Sequence, residues 1–221
     1  MGKVAILIVL AACGLSVNAH AQNLLAYWNM DASTVSSKFT ANQGDQAGTV
    51  TMTAAPSGFL NGMSSVTGIA LNALPPIGDP NNALHTTTFI SSGEECQVVM
   101  SGLNLSNMTD LTLSFAVKSN AFFSWGEHMH IDYDIGEGWV DWVESGSTEA
   151  GQWEVDSFTL PEAVNGQSSV SLRIRMTDFI AVAQYVDFDN IQITAVPEPG
   201  TWALLGGLGI AGLVIIRRRR A

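Results

Sequence analysis

The stretch from Leu111 to Lys118, LTLSFAVK, decides the fold class. In an extended chain Leu111, Leu113, Phe115 and Val117 share one side, and Thr112, Ser114 and Lys118 share the other. A period of two with one dry face and one wet face predicts a half-buried β-strand. The pattern recurs. Met129, Ile131, Tyr133 and Ile135 alternate with His128, His130, Asp132 and Asp134. Val170, Leu172, Ile174 and Met176 alternate with Ser169, Ser171, Arg173 and Arg175. Nothing between 22 and 195 sustains the apolar period of about 3.6 residues that a long helix needs.

Further strands are expected near 24–29, 48–53, 66–71, 85–90, 96–101, 139–144, 153–159 and 184–194. Turn signals divide them at Gly58, Pro75-Pro76, Gly78-Asp79-Pro80, Gly136-Glu137-Gly138, Gly146 and Asn165-Gly166. Eleven short strands without a helix predict an all-β domain over 22–195. Its simplest form is a two-sheet antiparallel sandwich of the jelly-roll type. Residues 54–83, rich in Gly, Pro, Asn and Ser, are expected as long loops at one end. In the last strand Val186 and Phe188 set one phase, while Ile191 and Ile193 resume on the opposite one. A β-bulge at Asp189-Asn190 absorbs such a shift and re-aims a carboxylate and an amide.

The two ends have another character. Met1-Gly2-Lys3, an apolar run from Val4 to Ala12, and Ala19-His20-Ala21 read as a signal helix, residues 1–21, cleaved before Gln22. Leu10-Ala11-Ala12-Cys13 also fits a lipobox, which leaves lipidation of Cys13 as the alternative; both readings export the domain. At the other end, residues 201–216 are 16 uncharged residues. As a helix at about 1.5 Å per residue they span about 24 Å, just short of a hydrocarbon core of roughly 30 Å. Local thinning or snorkelling accommodates that difference. Arg217, Arg218, Arg219 and Arg220 follow, and positive charge of this kind stays cytoplasmic. Pro197 and Pro199 keep the preceding stem extended. A plain single-pass anchor is one reading of this tail.

Charge narrows the partners. Residues 22–195 hold four basic and nineteen acidic side chains, a formal net charge of −15. Such a surface repels nucleic acid and anionic lipid. Cys96 is the lone cysteine of that span, so no intramolecular disulfide forms. The bland reading is a buried thiol, since Glu94 and Glu95 beside it disfavour a reactive thiolate.

Two places invite chemistry. His128, His130, Asp132 and Asp134 share one face of a strand, and Glu137 follows in the glycine turn beyond it. Paired histidines suit zinc and paired carboxylates suit glycoside hydrolysis, whereas the plain alternative is a solvated face entering a hairpin. Trp139 and Trp142 fall on opposite faces of the next strand, so one belongs to the core and the other is a candidate glycan contact. A dedicated carbohydrate-binding module requires coplanar exposed aromatics drawn from Trp125, Trp139, Trp142 and Trp153. No Gly-x-Ser-x-Gly, His-Glu-x-x-His or phosphate-loop motif occurs, and the domain is expected to be non-enzymatic.

Val196-Pro197-Glu198-Pro199, the apolar span and the four arginines together resemble the PEP-CTERM sorting signal. The resemblance covers residues 196–221. It implies recognition by an exosortase-type transpeptidase, a transient inner-membrane stage, and delivery to the surface or exopolysaccharide matrix of a Gram-negative bacterium. The mature part resembles galactose-binding-like and carbohydrate-binding jelly rolls, through Asp31 after the first strand and Asp189-Asn190-Ile191 in the last. That likeness implies a structural calcium held by Asp31, Asp189 and Asp187. Calcium takes about six to eight oxygens, and these three are the ones identifiable here. The expected function is a structural or adhesive matrix protein with weak contact to extracellular polysaccharide. The alternatives are a glycan-cleaving hydrolase using Asp132, Asp134 or Glu137, and a calcium-dependent carbohydrate-binding module.

Overall fold

The structure, a computed structural model, describes residues 22–30, 38–55, 63–74, 82–88, 95–121, 123–125, 127–142, 146–177 and 184–198. The expected signal helix and membrane helix lie outside them, as do Asp31, Pro199 and the four C-terminal arginines.

The strands in chain order begin with β1 (Asn23–Trp28), β2 (Lys38–Thr40), β3 (Thr51–Ala55), β4 (Met63–Thr67) and β5 (Asn82–Thr88). They continue with β6 (Glu95–Leu103), β7 (Met108–Ser119), β8 (Phe123–Trp125), β9 (Met129–Asp134) and β10 (Val140–Trp142). The last are β11 (Gly146–Thr148), β12 (Trp153–Thr159), β13 (Val170–Thr177) and β14 (Gln184–Pro197). One sheet, here A, runs β12-β7-β14-β5-β4, with β1 also on β14. The other, B, runs β11-β8-β9-β13-β6-β3-β2, with β10 also on β9. Among the described strands pairing is antiparallel apart from one parallel pair, Trp125 with Met129, between β8 and β9. From β5 to β7 and again from β12 to β14 the chain crosses from one sheet to the other at each step. This is the wrap of a jelly roll.

The alternation read from the sequence fills the space between the sheets. Leu111, Leu113, Phe115 and Val117 of β7 are fully buried, as are Leu172, Ile174 and Met176 of β13. Phe115 meets Phe188 edge-on at 5.6 Å and stacks on Phe158 at 6.0 Å. Such ring pairs add directionality to a core otherwise held by area burial.

β14 shows the expected phase change. Val186 and Phe188 are buried before it, and Ile191 and Ile193 after it. Its register against β7 shifts between Asp189 and Gln192, and Asn190 takes a left-handed φ of 50°. Asparagine tolerates that conformation better than most side chains. On its other edge β14 pairs first with β5, through Phe188 and Leu84, and then with β1, through Ile193 and Ala26.

The far edge of β1 is closed by the loop after β2. Asp45 and Gln46 donate to the carbonyls of Leu24 and Leu25, each at 2.9 Å. Gly44, at φ 114°, makes this possible, because a Cβ there would strike the Leu25 carbonyl.

Three strands were not foreseen: β2, β8 and β11, each of three residues near a sheet end. They are too short to display a period. β4 lies at Met63–Thr67 rather than 66–71, inside the stretch expected as loops. Among the described residues a 3₁₀ turn, Glu162–Val164, interrupts the β structure and inserts Val164, fully buried, into the core. Cys96 falls in β6 opposite Met176.

Candidate functional site

The outer face of sheet B carries the densest chemistry. Register places Arg173 of β13 beside Asp132 of β9, and Asp132 beside Asp141 of β10. Asp132 is fully buried although it stands on the solvent side of the sheet. The reason is a lid of two guanidinium groups. Arg173 Nε donates to Asp132 Oδ2 at 2.6 Å, and Arg175 Nε donates to the same oxygen at 2.8 Å. Arg173 Nη1 reaches Gln97 Oε1 at 3.2 Å, and Arg175 Nη2 reaches Asp141 Oδ2 at 3.1 Å. His130 Nδ1 lies 3.2 Å from Asp141. Planar, multi-donor arginine suits this arrangement, where one carboxylate must be satisfied from two sides.

Trp139 completes the face. It is 38% exposed, and the Arg173 guanidinium carbon stands 4.4 Å from its ring centroid. The contact is a cation–π interaction with the face of the indole. Trp142 packs against the core, so the pair divides as expected into one inner and one outer ring. Trp153 lies on sheet A, with Lys118 Nζ at 6.0 Å from its centroid, and so does not share a platform with Trp139. Trp125 falls in β8.

The row of alternating histidines and acids is therefore not a plain solvated face. Asp132 is clamped. Asp134 caps the hairpin instead, accepting the amides of Gly136 at 2.7 Å and Gly138 at 3.0 Å. Glu137 is exposed at the turn tip. Two of the three acids considered for glycan cleavage thus have structural partners. The sequence pattern alone marks Arg173 and Arg175 only as wet-face residues. The signal available was their scarcity, since residues 22–195 hold four basic side chains and two of them alternate on one strand.

On sheet A, Asp187 Oδ1 lies 2.5 Å from His85 Nδ1, with both side chains largely buried. Asp189 accepts the amides of Ile69 at 2.8 Å and Asn190 at 2.7 Å. Asn190 donates to the carbonyls of Ile69 and Leu71, and its own oxygen accepts from the Tyr27 hydroxyl at 2.6 Å. The bulge thereby latches residues 69–72 across the outside of the sheet. Among the described residues no three of His, Cys, Asp and Glu are grouped to hold a metal ion, and the third expected calcium ligand, Asp31, lies outside them. In the structure the two aspartates are engaged by a histidine ring and by backbone amides.

Of the sorting residues, Pro197 ends β14 opposite Met108. Glu198 is exposed and donates its amide to the Asn107 carbonyl at 2.7 Å. Elsewhere, burial raises the pKa of Glu154, and neighbouring Asp156 and Glu149 push it the same way, while the Glu149 amide opposes them.

Removing the clamped carboxylate leaves two apposed guanidinium groups unpaired. Asp132→Ala is expected to lower unfolding free energy by about 3 kcal/mol in denaturant titration. For Glu154 the folded-state pKa lies above the unfolded one, so its ionised form destabilises the fold. Glu154→Gln is expected to raise the melting temperature at neutral pH. The gain should vanish as pH falls below the ordinary value of 4.5, where the native glutamate is protonated in both states.

No curated protein matches the sequence of this chain. Among solved structures the chain is similar to the CBM22-1 xylan-binding domain from Paenibacillus barcinonensis Xyn10C, at 17% identity and TM-score 0.46, covering 81% of this chain and 98% of that one. It is similar also to the family 11 carbohydrate-binding module from Clostridium thermocellum in complex with a beta-1,3-1,4-mixed-linked tetrasaccharide. There the identity is 13% and the TM-score 0.45, over 82% of this chain and 99% of that one. A CBM4 structure is similar at 12% identity and TM-score 0.42, over 66% and 86% of the two chains. At its C-terminus, over residues 195–220, the chain carries the PEP-CTERM protein-sorting motif.

Proposed function

We propose that this chain is an exported, non-enzymatic surface or matrix protein. An exosortase-type transpeptidase reads its tail at the inner membrane and passes the sandwich outward. The outer face of sheet B then contacts extracellular polysaccharide. The sorting motif, which begins within the last strand of the sandwich, is the observation that carries this reading. The glycan contact is supported by Trp139, an exposed ring with Arg173 against its face. The non-enzymatic role is supported by the engagement of Asp132 and Asp134 with arginines and turn amides.

Replacing Pro197, Glu198 and Pro199 together with alanine is expected to leave the uncut chain in the inner membrane of its native host, as read by fractionation and immunoblot. Unchanged processing would leave the plain anchor as the reading of the tail. Residues 22–198 are expected to bind polysaccharide on a glycan array, with Trp139→Ala weakening that binding about ten-fold, or roughly 1.4 kcal/mol. Given the partners of Asp187 and Asp189, chelation of calcium should leave the signal unchanged. Binding lost on chelation would point to the calcium-dependent module instead, and release of sugar to the hydrolase.

A further inference from the structure

The sorting motif and the folded domain overlap by four residues. The motif begins at residue 195, whereas β14 runs on to Pro197 and Glu198 is still hydrogen-bonded to the sheet. Ala195 is fully buried. Val196 stands opposite Thr109 and Pro197 opposite Met108. The Glu198 amide donates to the Asn107 carbonyl at 2.7 Å. The receiving end is itself fastened, because Met108 accepts from the Gly166 amide at 3.0 Å. The Glu198 carboxylate lies over that glycine, where a Cβ would come within 3.8 Å of Oε1.

Proline does not weaken this arrangement. Successive N–H groups along a strand point to opposite edges. The Glu198 N–H points to β7, so the position of the missing N–H at Pro197 faces the other way. On that side β1 begins at Asn23, opposite Ala195, and among the described residues no strand pairs beyond it. Pro197 thus sits where a strand tolerates proline.

An enzyme that cuts a peptide bond needs the backbone around it exposed and free of sheet partners. We propose that the folded domain sets the processing position: the cut falls C-terminal to Glu198, and the mature protein keeps Val196, Pro197 and Glu198 as the end of sheet A. In that step the C–N bond of the chosen peptide breaks. The carbonyl carbon on the domain side bonds to an attacking hydroxyl, amine or water, whose proton leaves with the amine of the released tail. The inference rests on the sorting reading.

The test is the mass of the processed protein recovered from its native host, together with native-state digestion of the full chain in detergent by a broad-specificity protease. The expected mature C-terminus is Glu198 or a later residue, and the expected protease product is one domain fragment ending at or after Glu198. The Glu198 amide should also exchange slowly in the full chain. A mature end at Ala195, Val196 or Pro197 would overturn the inference while leaving the sorting reading intact. Native digestion within Ala195–Pro197, or a Glu198 amide exchanging at the rate of an unfolded peptide, would do the same. A chain that stays uncut in its host would overturn both.

Discussion

Strand β14 has to satisfy two edges at once. One edge is taken almost end to end by β7, and the other is divided between β5 and β1. A strand with neighbours on both sides has no solvent to fall back on, so its backbone groups must all find partners. The bulge at Asp189-Asn190 lies where the opposite edge passes from β5 to β1. It lets both halves of the strand point their apolar side chains inward. The same distortion supplies the polar groups that tie residues 69–72 to the outside of the sheet. Core, closure of the N-terminus and placement of the C-terminal tail all follow from how this one strand is paired.

Much of that was legible locally. Period-two runs identified β7, β9 and β13, because half-buried strands must alternate. The break in phase after Phe188 located the bulge from the same rule. The split between Trp139 and Trp142 was likewise a matter of parity. What escaped was anything decided by distant partners. Asp132 looked like a solvated acid because the arginines that bury it are 41 and 43 positions further along the chain. The His85 partner of Asp187, 102 positions away, is likewise not its neighbour until β5 pairs with β14. Parity fixes the side of a sheet a residue occupies, and only register decides what lies beside it there.

Charge is distributed with the same economy. Lysine and arginine are few in the domain, yet Arg173 and Arg175 both serve one buried aspartate. A carboxylate desolvated in this way needs close, well-oriented donors, and two guanidinium groups supply them. In return the arginines lose their freedom, and Arg173 also lies against the face of Trp139. The outer face of sheet B therefore joins a buried ion pair and an exposed aromatic ring through one arginine.

The proline that closes β14 has an effect on neighbouring molecules as well. Past Ala195, among the described residues, no strand pairs with one flank of β14, the kind of margin through which identical chains stack into aggregates. At Pro197 that flank lacks the donor another copy would need to continue the ladder. Molecules crowded side by side at a membrane or within a gel therefore meet a blunted seam, which favours their remaining separate sandwiches over fusing into fibres.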